Sequence, residues 1–442
     1  MRWFLKLWLL ILGIKLGLSS VLPFFSDEAY YWIWARHLQL SYYDHPPMIA
    51  WLLWIGSPLD SILQTVRWPA VIIGHLSLVA WYLTLAPYMT SEKQKFYWIL
   101  ALSLTPLTGI GSIIMTPDLP LIVFWSFSIL SLVRIFEKKT WHWYLALGVF
   151  LGLGFSSKYH IVIFLPIALG WILWTKRWKD INWKFVPLTL LGGFVFSLPV
   201  LIWNYRNDFI SFAFQLKHGL GGSSWKPEWT LNYLLGQIAL IFPPILYLAL
   251  RKRPQRSFDF LPFFAWGPIL FFALTSFKGR VEANWTAVAY PAIISLAVLN
   301  SNVSLNWIRR SCVSWLVLFL LVLSQIFYSW IPTEKWNVKT NEMTEYSELT
   351  QIAKEHKNFY AGSYQMASIL SFHLKRDIYK LKGVSRLDFF DYLKKSSPTE
   401  QSYFLAAPTG TKLPDWALQQ GHQIVGESKV NFKFTLYEVR VN

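Results

Sequence analysis

The sequence predicts a polytopic α-helical membrane protein with a small α/β domain at its C-terminal end. Three observations predict it. The 442 residues are 54% hydrophobic and only 15% charged, against about 25% charged in an ordinary soluble domain, and mean hydropathy is +0.35. Apolar runs near the length of a bilayer crossing recur along the chain. The basic residues gather in alternate loops, as they do where loops face the cytoplasm.

The first run, 3–22, follows Met1-Arg2-Trp3. It lacks an A-x-A-like exit and continues into Pro23-Phe24-Phe25, so it is expected to be a retained first helix rather than a cleaved signal peptide. Ten more candidate runs lie near 66–87, 96–114, 118–135, 143–157, 160–175, 185–203, 231–250, 259–277, 284–300 and 311–330, giving about 11 spans. With the N-terminus inside, the inside loops carry Lys93 and Lys95; Arg134, Lys138 and Lys139; Lys176, Arg177, Lys179 and Lys184; Arg251, Lys252, Arg253 and Arg256; and Arg309 and Arg310. Each of these loops is basic, and an odd helix count places the C-terminus outside.

The net charge of +17 is thus mostly topological, and nucleic acid is not expected as a partner. The 26 Trp and 21 Tyr suit a chain with many water–lipid boundaries. A single cysteine, Cys312, excludes an intramolecular disulfide and a cysteine metal site. From about 331 the composition turns polar. Residues 344–357 read as a helix, and 431–438 alternate as a half-buried strand does. The division expected is a membrane domain, 1–330, and an extracytoplasmic α/β domain, 331–442.

The loop after the first helix carries the most chemistry. It runs Ser26-Asp-Glu-Ala-Tyr-Tyr-Trp-Ile-Trp-Ala-Arg-His37, then Ser41-Tyr-Tyr-Asp-His-Pro-Pro47. Ser26 can cap a helix whose first turn holds Asp27 and Glu28, where negative charge is favoured. That reading leaves the second cluster, Asp44-His45, unexplained. Carboxylates beside lipid are costly unless paired or hydrated, so the loop is expected to return both clusters to one cavity.

Later outside elements can complete such a cavity. Asp118 begins a helix within Met115-Thr-Pro-Asp-Leu-Pro120, where a cap is the plain alternative. Lys158 sits in Gly152-Leu-Gly-Phe-Ser-Ser-Lys-Tyr-His160, able to snorkel or to bind an anionic headgroup. Lys278 and Arg280, in Phe277-Lys-Gly-Arg-Val-Glu-Ala-Asn-Trp285, can hold a phosphate. Gly219, Gly221 and Gly222 lend a loop flexibility without forming a P-loop, and no HExxH, GxSxG or zinc-finger spacing is present. His75 and His142 read as interfacial or helix-packing residues, and Lys15, within the first helix, as a snorkelling or bundle-facing lysine with no assigned role.

Taken in order, Asp27-Glu-Ala-Tyr-Tyr-Trp32, Tyr43-Asp-His-Pro-Pro47, Val66-Arg67, Thr116-Pro-Asp-Leu-Pro120, Ser157-Lys-Tyr159, Asn284-Trp285 and Tyr364-Gln-Met-Ala-Ser-Ile-Leu370 resemble segments of bacterial membrane glycosyltransferases of the C-type fold. The nearest groups are the protein O-mannosyltransferases and the lipid A aminoarabinose transferases. The resemblance implies a polyprenyl-phosphate-linked sugar donor, a lipid or protein acceptor, and a bacterial inner membrane with the active site on the periplasmic side.

The same resemblance carries Asp27 over as the catalytic acidic residue, with Glu28 beside it and Asp118 as a second acidic position. Asp44, His45, Arg67, Lys158, Tyr159, Lys278 and Arg280 become donor or acceptor contacts. Relatives often have an acidic residue four positions before the arginine matched by Arg67. Here that position is Leu63, with Asp60 nearby, so no metal ligand is fixed and a divalent metal ion is left open as the one candidate cofactor. The implied reaction is direct displacement at the anomeric carbon with inversion. A transporter or flippase of a lipid-linked sugar is the main rival, although transporters tend to show repeats and midplane charges. A non-catalytic scaffold is the second.

Overall fold

The computed structural model describes residues 2–89, 91–220, 224–251, 258–299, 305–332 and 341–442. Lys252, Arg253 and Arg256 of one expected basic loop, and Gly221 and Gly222, lie outside the described residues. In chain order the helices are α1 Arg2–Val21, α2 Ser26–Arg36, α3 Met48–Gly56, α4 Trp68–His75, α5 Ser77–Leu85, α6 Glu92–Leu104, α7 Asp118–Lys138, α8 Trp141–Phe155, α9 Phe164–Trp174 and α10 Val186–Arg206. They continue with α11 Ile210–Leu220, α12 Pro227–Ile241, α13 Pro243–Leu250, α14 Leu261–Thr275, α15 Tyr290–Leu299, α16 Leu305–Tyr328, α17 Glu342–Glu345, α18 Ser347–Glu355, α19 Tyr364–Leu374 and α20 Asp415–Gln419. The strands are β1 Phe359–Ala361, β2 Tyr379–Lys380, β3 Ser402–Pro408, β4 His422–Lys429 and β5 Phe434–Val441.

Residue contacts divide the chain into two compact units. The first comprises Met1–Val21 and Gln39–Leu323, the second Leu22–Leu38 and Ser324–Asn442.

In the first unit the apolar runs fold as helices, with two informative departures. The run 96–114 is α-helical only to Leu104, with a 3₁₀ turn at Ile110–Ile113, because Thr105 precedes Pro106 and takes an extended ψ of 140°, as a residue before proline prefers. The run 231–250 is broken where Phe242 (φ 76°) precedes Pro243-Pro244, and its halves are bent by 89°. Among the described residues, five helical segments are long and apolar enough to cross a membrane: Arg2–Val21, Thr65–Tyr88, Asp118–Lys138, Trp183–Arg206 and Leu305–Tyr328. Shorter apolar helices accompany them, such as Trp141–Phe155 and Leu261–Thr275.

Packing follows the rules for helices in lipid, where small residues allow close backbones and hydroxyls satisfy buried donors. Gly148 and Gly152 of α8 face α10 so closely that a Cβ on Gly148 would lie 2.1 Å from the Thr189 carbonyl oxygen. Buried indoles find serines: Trp81 donates to Ser126 at 2.9 Å and Trp98 to Ser295 at 3.0 Å. Lys15 neither snorkels nor meets a carboxylate; it is buried and donates to Ser112 Oγ at 2.8 Å. His75 meets the Trp8 carbonyl oxygen at 3.0 Å, a packing contact between α4 and α1.

The second unit is built on a mixed sheet of order β2-β1-β3-β5-β4. β1 runs parallel to β2 and β3, while β5 is antiparallel to β3 and β4. Tyr360 pairs with Leu405, and Leu405 with Tyr437, placing these side chains in one apolar cluster with Tyr403 and Val439. The expected strand 431–438 begins later, at Phe434, because Asn431 Oδ1 accepts the Lys433 and Phe434 amides and turns the chain. The expected helix 344–357 is two short helices, α17 and α18.

α2 packs within this unit, against α19: Phe24 stacks on Phe372 at 4.0 Å and Tyr30 meets Tyr364 at 4.5 Å.

Candidate active site

Within the first unit, three segments far apart in sequence meet at Asp118. This residue opens α7 directly after Pro117, so its side chain projects from the helix start. Lys158 follows the end of α8, where its extended backbone (φ −159°, ψ 137°) turns the chain into the 3₁₀ segment Tyr159–Ile163. Its ammonium donates to Asp118 Oδ1 at 2.7 Å. Asn284 donates through Nδ2 to Asp118 Oδ2, also at 2.7 Å. Both carboxylate oxygens are therefore engaged, and the Asp118 and Lys158 side chains are only 10% and 6% exposed. The plain alternatives are corrected: Asp118 is no helix cap, and Lys158 does not snorkel but pairs with the acid.

The neighbouring residues form a polar shelf. Tyr159 Oη lies 2.9 Å from Ser211 Oγ, and Asn204 donates to it at 3.3 Å. Ser156, two residues before Lys158, donates to the Phe196 carbonyl oxygen at 2.8 Å, and its own carbonyl accepts the Met48 amide at 2.9 Å. That second bond ties the Lys158 turn to the Asp44-His45-Pro-Pro loop. The loop is closed by Tyr42 N donating to the His45 carbonyl oxygen at 3.2 Å. Asp44 is buried and its carbonyl oxygen accepts from Gln215, while His45 is half-buried.

Arg67 is also buried and donates to the Ser19 carbonyl oxygen at 2.8 Å, so its guanidinium helps to lock the end of α1. Lys278 and Arg280 are exposed, and Arg280 is paired with Glu282 at 3.2 Å. Such a surface pair is worth little, which leaves this loop's charges free to rearrange.

Asp27 and Glu28 belong to the second unit. The expected Ser26 cap is corrected: Phe25 is the N-cap, its amide donates to Glu28 Oε2 at 3.1 Å, and Ser26 lies inside the helix with its hydroxyl on Glu342. Glu28 is fully buried in this capping role, whereas Asp27 is half-buried and accepts from Tyr364 Oη at 3.3 Å.

The remaining support for α2 comes from the loop after β2. Lys380 is wholly buried, with its ammonium 2.7 Å from Asp388 and 2.5 Å from Asp391. It also donates to the Arg386 carbonyl oxygen at 2.8 Å. Gly383, at φ 75°, makes the tight turn and donates its amide to Asp391 at 2.9 Å. The loop so fixed holds Arg386 4.5 Å from the Tyr364 ring and presents the Phe389 amide to Tyr30 Oη at 2.9 Å.

Sequence reasoning singled out none of Lys380, Asp388 or Asp391. Their signal was a Lys…Asp-x-x-Asp spacing in a tail with no other guide. Asn284 and Tyr364 were visible only as pieces of the resemblance. Among the described residues, no group of three or more His, Cys, Asp or Glu side chains is arranged to hold a metal ion.

Comparison with known proteins gives likenesses of three kinds. Residues 44–203 match the family described as dolichyl-phosphate-mannose-protein mannosyltransferase. Lipid A galacturonosyltransferase RgtD of Rhizobium johnstonii is 25% identical over 310 residues, 66% of this chain and 64% of that protein. Undecaprenyl phosphate-alpha-4-amino-4-deoxy-L-arabinose arabinosyl transferase 2 of Pseudomonas fluorescens is 26% identical, covering 63% of this chain and 56% of the relative. The chain thus spans less than two thirds of the length of these curated relatives. Among solved structures, ArnT from Cupriavidus metallidurans bound to undecaprenyl phosphate superposes with a TM-score of 0.65 over 98% of both chains at 14% identity. The apo form gives 0.67, covering 99% of this chain. The fold is that of ArnT, the apolar helices make this an integral membrane protein, and the chain is similar in sequence to membrane transferases of lipid-linked sugars.

Proposed function

We propose that this protein transfers a sugar from a polyprenyl-phosphate donor to an extracytoplasmic acceptor, with inversion at the anomeric carbon. The observation that carries the reading is the buried Asp118–Lys158–Asn284 centre, built on segments that resemble lipid-linked-sugar transferases in sequence. Lipid A is the first acceptor to test, since a relative is named for it.

In the reaction, an acceptor oxygen attacks the anomeric carbon while the bond from that carbon to the phosphate oxygen breaks. The acceptor proton passes to the Asp27 carboxylate, and polyprenyl phosphate departs with a growing negative charge. Cations placed where that charge grows stabilise the transition state. Lys158 has N–H groups beyond the one given to Asp118, and Lys278 and Arg280 are exposed cations of the same unit. Where the acceptor is itself a phosphate, no base is required and Asp27 acts by orientation. Asp44, His45, Arg67 and Tyr159 shape and fix the surrounding loops. About eleven spans, an inner-membrane location and a periplasmic site complete the reading, supported by the basic residues of alternate loops.

The test is transfer by the full chain in liposomes. Undecaprenyl-phosphate-linked galacturonic acid, aminoarabinose and mannose are offered as donors, with lipid A and a serine-rich peptide as acceptors, and products read by mass spectrometry. Transfer from at least one donor, lost in Asp27→Asn, is expected. Movement of the lipid-linked sugar across the bilayer without transfer would favour the flippase.

A further inference from the structure

A second feature runs along α1, beside α6. Two hollows run along α1. The outer one, about 430 Å³, is lined by Trp3, Lys6, Leu7, Leu10, Glu92 and Phe96. The inner one, about 220 Å³, shares Leu7 and Leu10 and continues past Ile14 and the buried Lys15 to Leu18, walled by Leu104 of α6, by Ile110 and Ile113 after it, and by Phe319 of α16. The shared leucines make them one groove. From Trp3 to Leu18 it is about 22 Å long at the helical rise, which suits one extended acyl chain.

The mouth of the groove is charged. Lys6 of α1 lines the outer hollow together with Glu92 of α6. That carboxylate is already engaged by Lys95 at 2.6 Å and by the Trp3 indole. Lys6 is exposed on the rim. A mainly apolar slot ending at an exposed lysine beside an interfacial tryptophan matches the chemistry of an anionic glycerophospholipid, its phosphate at Lys6 and one chain in the slot.

We propose that this groove is a binding site for an anionic phospholipid of the surrounding bilayer, separate from the sugar-transfer centre. The site does not depend on the transferase reading. It is tested by native mass spectrometry of the delipidated full chain titrated with phosphatidylglycerol, phosphatidylethanolamine or undecaprenyl phosphate. Phosphatidylglycerol is expected to bind tightest of the three. Lys6→Gln should weaken it about fivefold, the share of one interfacial cation, with phosphatidylethanolamine little changed. Ile14→Trp, which fills the slot, should weaken both phospholipids.

If Ile14→Trp does not fold, the Lys6→Gln arm alone decides. Equal binding of phosphatidylglycerol and phosphatidylethanolamine would overturn the proposal. So would indifference to Lys6→Gln, or undecaprenyl phosphate proving the preferred ligand of this groove.

Discussion

Removing the Lys158 charge tests the buried centre most sharply. In Lys158→Met the side-chain volume is nearly kept, but Asp118 keeps only the hydrogen bond from Asn284 of the two that engage its oxygens. At 2.7 Å and an effective dielectric near 20, the gross attraction is about 6 kcal/mol. Desolvation offsets much of it, and losing one member of a buried pair typically costs about 3–5 kcal/mol because the other charge is stranded. Asp118→Asn should cost a similar amount, by stranding the ammonium instead. The double substitution should cost less than the sum by roughly 2–3 kcal/mol, the upper range for directly contacting groups. Reversible unfolding in mixed micelles, followed by tryptophan fluorescence, supplies the double-mutant cycle. Single costs below about 1 kcal/mol with coupling under about 0.5 kcal/mol would mean that the pair is hydrated and exposed, and the reasoning would fail.

Three further outcomes are expected. Gly148→Leu should force α8 from α10, since even its Cβ would strike the Thr189 carbonyl oxygen; overpacking predicts a loss of about 1–3 kcal/mol or more in the same unfolding assay, and an unchanged midpoint would contradict the close crossing. Lys380→Met should strand two carboxylates and cost about 3–5 kcal/mol locally, seen as faster hydrogen exchange over residues 381–391 and in α2, while Lys382→Met, on an exposed side chain, should change neither. Burial holds the imidazoles of His37 and His422 below their ordinary pKa of 6.5, although Asp377 partly opposes this at His37. The unfolded chain then takes up these protons first, so stability is fully present above pH 6.5 and declines as pH falls below it towards the lowered folded values; thermal unfolding at pH 7.5 and 5.5 should show the loss, and His422→Gln should reduce it.

The helices were legible because their signal is physical and local. A run of about 20 apolar residues needs no partner to be read, and the breaks at Pro106 and Pro243-Pro244 also stand in the sequence, although the reading carried both runs straight through them. The pairing of Asp118 with Lys158 was not legible from spacing, since forty residues separate them and only the packing of α7, α8 and the segment at Asn284 brings them together. Its two residues were nevertheless named, because a charge beside an apolar run is rare enough to mark itself. The α2 segment shows the opposite limit. The pattern Tyr30-Tyr31-Trp32 with Trp34 reads equally well as a helix lying on the membrane interface, yet Tyr30, Trp32 and Trp34 are buried against the C-terminal tail's α19 and the loop after β2. An aromatic stripe does not say whether lipid or protein will cover it. The Lys380 cluster was silent for the same reason: three charges in a polar tail look like solvated surface until the fold closes over them.

The most direct measurement is single-turnover transfer by the full chain in liposomes, comparing wild type with Asp27→Asn and Asp27→Glu on whichever undecaprenyl-phosphate sugar is accepted. The account predicts a fall of about 10²–10⁴-fold for Asp27→Asn when the acceptor is a hydroxyl, partial retention in Asp27→Glu, and donor binding largely unchanged. A folded Asp27→Asn protein transferring at the wild-type rate to a hydroxyl acceptor would contradict it.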